Sequence, residues 1–320
     1  MKMLVVTEKE AGQRMDKLLA KYLNLAGKGF IYKMLRKKNI TLNGKKCDGS
    51  EKLNQGDEIR LFLSDETIEK FSEVPIQKVK EQTLDIIYED QHILLVNKPS
   101  GMLSQKARET DESLVEYIID YLLKKGELSR ADLKTFRPSV CNRLDRNTSG
   151  LVVAGKSLPG LQILSAALKE RSIHKYYFCV IKGELKEKQT MKGYLKKDER
   201  TNQVKIFENQ VTDSFPIVTT YEPVSKEGEY TLLKVTLVTG RTHQIRAHLA
   251  SIGCPLVGDG KYGDDKVNEE ARKRFGIRYQ MLHSYQIAFP SLPEPLGYLA
   301  GKSFMAPLPE TFGRVCNRWR

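Results

Sequence analysis

Eight residues in the middle of the chain, Gly150-Leu151-Val152-Val153-Ala154-Gly155-Lys156-Ser157, spell G-x-x-x-x-G-K-[ST]. How they fold separates two classes of protein. In a phosphate-binding loop the four residues between the glycines curl, so that backbone N–H groups surround phosphates before a helix begins. Leu-Val-Val-Ala instead favours an extended, buried strand. The strand then occupies the place the loop needs, and Gly155-Lys156-Ser157-Leu158-Pro159 reads as its exit. An ATP-binding P-loop fold is therefore set aside, and residues 151–154 become one strand of a sheet core.

The surrounding pattern agrees with a sheet. Segments 84–90, 92–96, 176–182, 217–221 and 231–238 also read as strands. Pro99-Ser100-Gly101 enforces a turn after the second of them. Residues 113–125 predict a helix, with Leu114, Ile118, Tyr121 and Leu122 on one face, and 161–169 a shorter one. Many strands at irregular spacing with few helices predict an α+β fold with a mostly antiparallel or mixed sheet, flanked by helices and loops. A chain of 320 residues is long enough for two domains.

Charge is unevenly spread. The formal net charge is +13, and residues 1–63 hold 14 Lys and Arg against 7 Asp and Glu, more than half of the excess in the first fifth of the chain. That asymmetry predicts a small basic module on a larger body. Met15, Leu18, Leu19, Tyr22 and Leu23 fall at helical spacing, and Ile31, Met34 and Leu35 repeat it. The other positions of the second helix carry Lys33, Arg36, Lys37 and Lys38. Then the period changes. Ile40 and Leu42 alternate, Asn43-Gly44 signals a tight turn before Lys45-Lys46, and Ile59, Leu61 and Leu63 alternate after Gly56-Asp57. A charge run is ordinarily a solvated helix face. Clustering on one side of so small a module instead favours RNA phosphates, where Lys and Arg gain by displacing counterions. Residues 64–82, polar and charged with one proline, Pro75, read as a linker to a second domain over 83–320.

Other classes are excluded by composition. No apolar run approaches the ~18 residues needed to span a bilayer, and the N-terminus carries no secretory signal pattern. The five cysteines (47, 141, 179, 254 and 316) are scattered singly. That predicts reduced thiols in a cytoplasmic protein, expected to act as a monomer. A pI near 9.3 points to a polyanionic partner.

Two segments carry chemistry. Asn142-Arg143-Leu144-Asp145-Arg146-Asn147-Thr148-Ser149-Gly150 sets one carboxylate between two arginines before a turn. Alone it reads as a surface ion pair worth ~1 kcal/mol or less. Thr239-Gly240-Arg241-Thr242-His243-Gln244-Ile245-Arg246-Ala247-His248-Leu249 packs two arginines and two histidines behind a strand. The histidines are five apart, which does not place both on one helix face for a metal. The plain reading is a helix start with Thr242 as N-cap. The functional reading is a basic lining for a phosphate or a catalytic carboxylate.

Taken together, these segments resemble the RluA-type family of pseudouridine synthases. The family's His-Arg-Leu-Asp-x-x-Thr-Ser-Gly matches 142–150 except at its first position, and Gly-Arg-Thr-His-Gln-Ile-Arg-x-His matches 240–248 throughout. Lys98-Pro99-Ser100-Gly101, the segment from Lys175 to Gly183 and Leu282-His283-Ser284 fit further elements, so the resemblance runs from about residue 84 to 295. Arg14-Met15-Asp16-Lys17-Leu18-Leu19, the basic second helix, Leu42-Asn43-Gly44-Lys45 and Gly56-Asp57-Glu58-Ile59 resemble an S4 RNA-binding domain.

The resemblance implies an isomerase that cleaves the N1–C1′ bond of uridine and rejoins the base through C5. Asp145 matches the catalytic aspartate, Tyr177 the tyrosine that stacks on the flipped base, and Arg246 the basic residue paired with the aspartate. Arg143 matches the arginine that enters the RNA stack. Arg14, Lys33, Arg36, Lys37, Lys38 and Lys45 become RNA contacts of the S4-like module. The reaction needs no redox change or energy input, so no cofactor and no metal are expected. The substrate class implied is structured RNA, large-subunit (23S) rRNA or a ribosome-assembly intermediate in preference to tRNA. A rival reading, a non-catalytic RNA-binding or ribosome-assembly factor on the same scaffold, predicts loss of the aspartate, tyrosine or arginine, and all three are present. Asn142 departs from the family's His: it keeps a donor and an acceptor but cannot shuttle a proton.

Overall fold

The computed structural model describes residues 1–74 and 76–316. Pro75, expected within the linker, lies outside the described residues, as do positions 317–320 of the second segment.

The N-terminal residues build their own apolar core. The elements are β1 (Lys2–Val5), α1 (Met15–Tyr22), α2 (Lys28–Arg36), β2 (Ile40–Leu42), β3 (Lys45–Lys46) and β4 (Glu58–Leu61), with sheet order β1-β4-β2-β3. The apolar positions read from the helical period, Met15, Leu18, Leu19, Ile31, Met34 and Leu35, are buried together with Ile40, Ile59 and Leu61. Asn43 and Gly44 both have positive φ, 50° and 75°, the two-residue turn their identities predict. Strand β1 was not legible, because its residues are mostly exposed and show no alternation.

The stretch predicted as a linker begins instead with a helix, α3 (Asp65–Phe71). Ser64 caps it by accepting from Thr67 N, and two acids occupy the first turn where the helix dipole favours them. Ile68 and Phe71 join the N-terminal core, with the Phe71 ring 4.7 Å from Phe30. Two apolar residues three apart are enough to seat the helix on that core.

The larger unit contains β5 (Ile86–Glu89), β6 (Ile93–Lys98), α4 (Leu114–Lys124), β7 (Ser139–Val140), β8 (Ser149–Gly155), α5 (Leu158–Glu170), β9 (His174–Lys182), β10 (Gln189–Asp198), β11 (Gln203–Phe207), β12 (Phe215–Glu227), β13 (Tyr230–Leu237), α6 (Gln244–Ser251), α7 (Asp265–Phe275), β14 (Leu282–Ala288), β15 (Ser303–Met305) and α8 (Glu310–Val315). The strands form one sheet, β11-β10-β12-β13-β9-β14-β8-β6-β5, with β15 beside β14 and β7 beside β8. Among the described strands, only β14 and β8 pair in parallel. This is the α+β architecture with a mostly antiparallel sheet that the sequence predicts.

Alternation sorts the core. Tyr177, Cys179 and Ile181 of β9 face one layer with α4 and α6, while Phe178 and Val180 face another with α7 and α8. The hairpin β10–β11 escaped prediction because lysines interrupt its apolar positions. Helix α7 escaped because only Val267 and Ala271 are buried on it.

The P-loop look-alike is resolved here. All seven residues of β8 are buried, and its glycines are packing devices. Gly150 has φ +106°, and a Cβ there would lie 2.2 Å from the Ser284 carbonyl oxygen on β14. A Cβ on Gly155 would lie 2.6 Å from Leu161 Cα on α5. Lys156 binds no phosphate geometry. Its ammonium is buried between Glu89 (2.6 Å) and Glu127 (2.5 Å). Gly150→Ala is expected to cost about 3–4 kcal/mol, since both backbone conformation and strand spacing must change. Urea unfolding checks this, and a loss below about 1 kcal/mol would contradict the packing argument.

His283 on β14 is fully buried. Its Nε2–H donates to the Ala306 carbonyl at 3.4 Å, and Nδ1 faces the Ser149 hydroxyl at 2.9 Å. Burial pushes its pKa down to about 4. The unfolded chain therefore binds the proton first as pH falls from about 6.5, and up to about 3 kcal/mol of stability is expected to be lost by pH 4. Unfolding midpoints across that range should fall less steeply in His283→Asn than in the parent.

Candidate active site

Strand register assembles the site. Lys98 on β6 pairs with Gly150 on β8, Gly150 with Ser284 on β14, and Ser284 with Tyr177 on β9. One row across four strands thus joins four segments of sequence, and the Asp145 loop enters the sheet through Gly150 at the start of β8.

That loop is tied down almost wholly through its backbone. Ser104 Oγ donates to the Leu144 carbonyl and accepts from Leu144 N, at 2.9 and 3.0 Å. The Arg146 carbonyl accepts from Gly101 N (2.9 Å) and from Lys98 Nζ (3.1 Å). Thr148 N closes a turn on the Asp145 carbonyl (3.0 Å). Lys98 is fully buried, and its Nζ also donates to the carbonyls of Pro99 and Met102. Burial pushes its pKa down to about 7, against the pull of the nearby Asp145 charge. The Lys-Pro-Ser-Gly turn is therefore a clamp on the Asp145 loop.

Asn142 belongs to the same scaffold. Its Oδ1 accepts from Val153 N (2.8 Å) and its Nδ2 donates to the Leu151 carbonyl (3.3 Å). The carboxamide extends the β7–β8 ladder as a backbone amide would. The departure from the family's His thus falls on a residue that holds the loop to β8.

The Asp145 carboxylate stands at the end of a buried ion-pair chain. Arg246 Nη1 donates to Asp145 Oδ2 at 2.7 Å. Arg246 Nε and Nη2 hold Asp259 in a two-pronged pair at 2.7 and 2.8 Å. The Asp259 side chain has no exposed surface, whereas that of Asp145 is 26% exposed. Asp259 also accepts from the backbone N–H of Lys261 and Tyr262. Burial works against charge in both Arg246 and Asp259. Their mutual bonds outweigh it, holding the arginine above and the carboxylate below their ordinary ranges. The Arg246 guanidinium also lies over the Tyr262 ring, 5.2 Å from its centre. Asp259 was missed in the sequence. Its signal is an acid between two glycines, Gly258 and Gly260, at a tight turn.

Tyr177 lies in the core layer beside Leu144, Ile245 and Leu282. Burial, with the Asp145 charge adding, pushes its hydroxyl up to about 12, while Ser284 works the other way. The predicted trio of Asp145, Tyr177 and Arg246 is therefore brought together. Arg143 is exposed and makes no hydrogen bond or ion pair among the described residues. Among the described residues, no hydrogen bond or ion pair joins the basic residues named in the N-terminal module to this site. Lys33, Arg36, Lys37, Lys38 and Lys45 are exposed, and Arg14 pairs with Asp16 through two bonds of 3.1 and 3.0 Å.

One expectation fails. The cap of α6 is His243, in the left-handed region with φ 54°, and not Thr242. The first turn is fastened by Gln244, whose Oε1 accepts from Arg241 N and the Thr239 hydroxyl.

Residues 92–251 match the family profile described as RNA pseudouridylate synthase. A "Ribosomal large subunit pseudouridine synthase C" of Vibrio vulnificus (strain CMCP6) is 30% identical over 98% of this chain and 95% of its own. The chain belongs to the RNA pseudouridylate synthase family. This synthase is accordingly an isomerase. Its likeness extends to proteins of the same name from Rickettsia bellii (strain RML369-C), 31% identical over 98% of this chain and 100% of that one, and Escherichia coli (strain K12), 30% identical over 90% and 88%. A solved structure of "Human RNA Pseudouridylate Synthase Domain Containing 4" shares the fold with TM-score 0.58 at 20% identity, covering 73% of this chain and 92% of that one. Among the described residues, no helix is long and apolar enough to cross a membrane.

Proposed function

We propose that the synthase isomerises uridines of large-subunit ribosomal RNA, with Asp145 as the catalytic carboxylate. The observation that carries this reading is the polarity of the ion-pair chain. Its inner acid, Asp259, is sealed, while its outer acid, Asp145, is accessible and leaves Oδ1 without a hydrogen bond among the described residues. A carboxylate oriented by one oxygen and free at the other is arranged to act on a substrate.

The reaction breaks N1–C1′ and forms C5–C1′. The C5 proton is lost and N1 gains one, so the product is an isomer. Asp145 acts at the ribose, either as nucleophile at C1′ or as the base that removes a ribose proton. The target base must first leave the helix, at a cost of a few kcal/mol. Stacking on Tyr177 returns ~1–3 kcal/mol of that, and Arg143, exposed and without a hydrogen bond among the described residues, fills the gap left behind. The N-terminal module docks RNA in the manner of an S4 domain, through Arg14, Lys33, Arg36, Lys37, Lys38 and Lys45. The large-subunit target is supported by the names carried by the relatives, and within it the reading is free 23S rRNA or an assembly intermediate. A monomer working in the cytoplasm fits this reading.

Pseudouridine mapping across total RNA, from cells with and without the protein, tests the proposal. Sites in large-subunit rRNA should vanish with the protein. Sites lost only from tRNA would overturn the target, and an unchanged map would favour the non-catalytic assembly factor.

A further inference from the structure

His243 touches the site, yet neither the ion-pair chain nor base stacking uses it. Its backbone sits at φ 54°, a conformation that costs a non-glycine residue about 1–3 kcal/mol and persists only where surrounding structure demands it. Helix capping does not explain the strain, because its side chain makes no capping bond. Its ring does have a defined partner: Nδ1 lies 2.9 Å from the Tyr262 hydroxyl.

That partner bears on the tautomer. Val204 N donates to the Tyr262 oxygen at 2.9 Å. With one acceptor site of that oxygen so occupied, the tyrosine's own hydrogen is assigned to Nδ1 and the ring proton to Nε2. Nε2 lies 3.8 Å from Asp145 Oδ2, the same oxygen that Arg246 holds. The side chain is 9% exposed, with Asp145 and Asp259 on the acidic side and Arg246 and Lys261 on the basic side. Burial, which outweighs the attraction of Asp145, moves the ring below its ordinary pKa and keeps it neutral.

We propose that His243 is a positioning residue for Asp145: its Nε2–H, aimed by Tyr262, closes onto Oδ2 when RNA fills the cleft and leaves Oδ1 as the reacting oxygen. The inference rests on Asp145 being the catalytic carboxylate. Two donors converging on one oxygen stop rotation of the carboxylate, which a single arginine bond permits. The gap of 3.8 Å suits a free enzyme, since catalytic hydrogen bonds often tighten only in the complex.

His243→Asn tests this, because Asn tolerates the left-handed backbone but lacks the ring N–H. Its kcat should fall about tenfold to a hundredfold, with KM for RNA within about twofold and the unfolding midpoint unchanged. His243→Gly, which removes the strain altogether, should lose kcat equally, so poor folding of one variant does not spoil the test. Nitrogen-15 shifts of the His243 ring should place the proton on Nε2. A kcat within about twofold of the parent in either folded variant, or a proton on Nδ1, would overturn the proposal. Asp145→Asn run alongside separates the failures. If it is inactive while His243→Asn is normal, only the positioning role is lost. If it is fully active, the reading of Asp145 itself is wrong.

Discussion

Asp145→Asn is expected to lower pseudouridine formation by at least about a thousandfold, with RNA affinity and the unfolding midpoint near the parent's. Asn keeps the size of the side chain and one oxygen for Arg246 Nη1, which reaches Asp145 at 2.7 Å. The loop geometry rests on backbone bonds to Ser104, Gly101 and Lys98, none of which involves the carboxylate. What disappears is the charge at the accessible end of the chain. A neutral amide neither attacks C1′ nor accepts a ribose proton. Tritium release from RNA labelled at uridine C5, beside a filter-binding titration, measures both halves. Normal turnover by the variant would sink the assignment.

Arg246→Met should act on stability and activity together. Arg246 is 6% exposed and carries the bonds to both Asp145 and Asp259. Methionine fills much of the volume but strands Asp259, whose remaining donors are two backbone N–H groups. Breaking a buried pair from one side costs about 3–5 kcal/mol, because the other charge stays buried. Asp259→Asn added to Arg246→Met should recover part of that stability, since the uncompensated charge goes. It should recover no activity, because Asp145 remains unheld. Denaturant unfolding and turnover of the two variants check this. A loss below about 1 kcal/mol in the single variant would mean the chain of ion pairs is not what holds this part of the fold.

The residues easiest to read were those whose role is local. Leu151-Val152-Val153-Ala154 announced a buried strand by composition alone, and that was enough to set aside the P-loop match that includes them. Asn43-Gly44 announced a turn. The helical faces of Met15-Leu18-Leu19 and Ile31-Met34-Leu35 were right because burial in a small module follows periodicity closely. Thr242 misled because a cap depends on how the chain arrives, and here the approach forces His243 into the left-handed region. The segment 64–72 misled because its polarity hid two apolar residues that matter only where a core has an open side.

The site divides in the same way. The segment around Asp145 and that around Arg246 were legible as segments, and family resemblance paired them across 101 positions of sequence. Asp259 and Ser104 had no such label, and His243 lay in a labelled segment without a role of its own. Each is an ordinary residue whose importance comes from the atom it meets.

Sequence by itself determined β5, β6, β8, β9, β12, β13 and the basic N-terminal module, because hydrophobic period and turn residues are local properties, while the three side chains offered for chemistry came from the family resemblance of their segments. Tertiary structure decided the rest. It set Lys98, Gly150, Ser284 and Tyr177 in one row, sealed Asp259 and left Asp145 open. Which of two acids on one arginine is reactive depends on which one water and RNA can reach. That accessibility is a property of strand register and packing, and no single segment of the chain contains it.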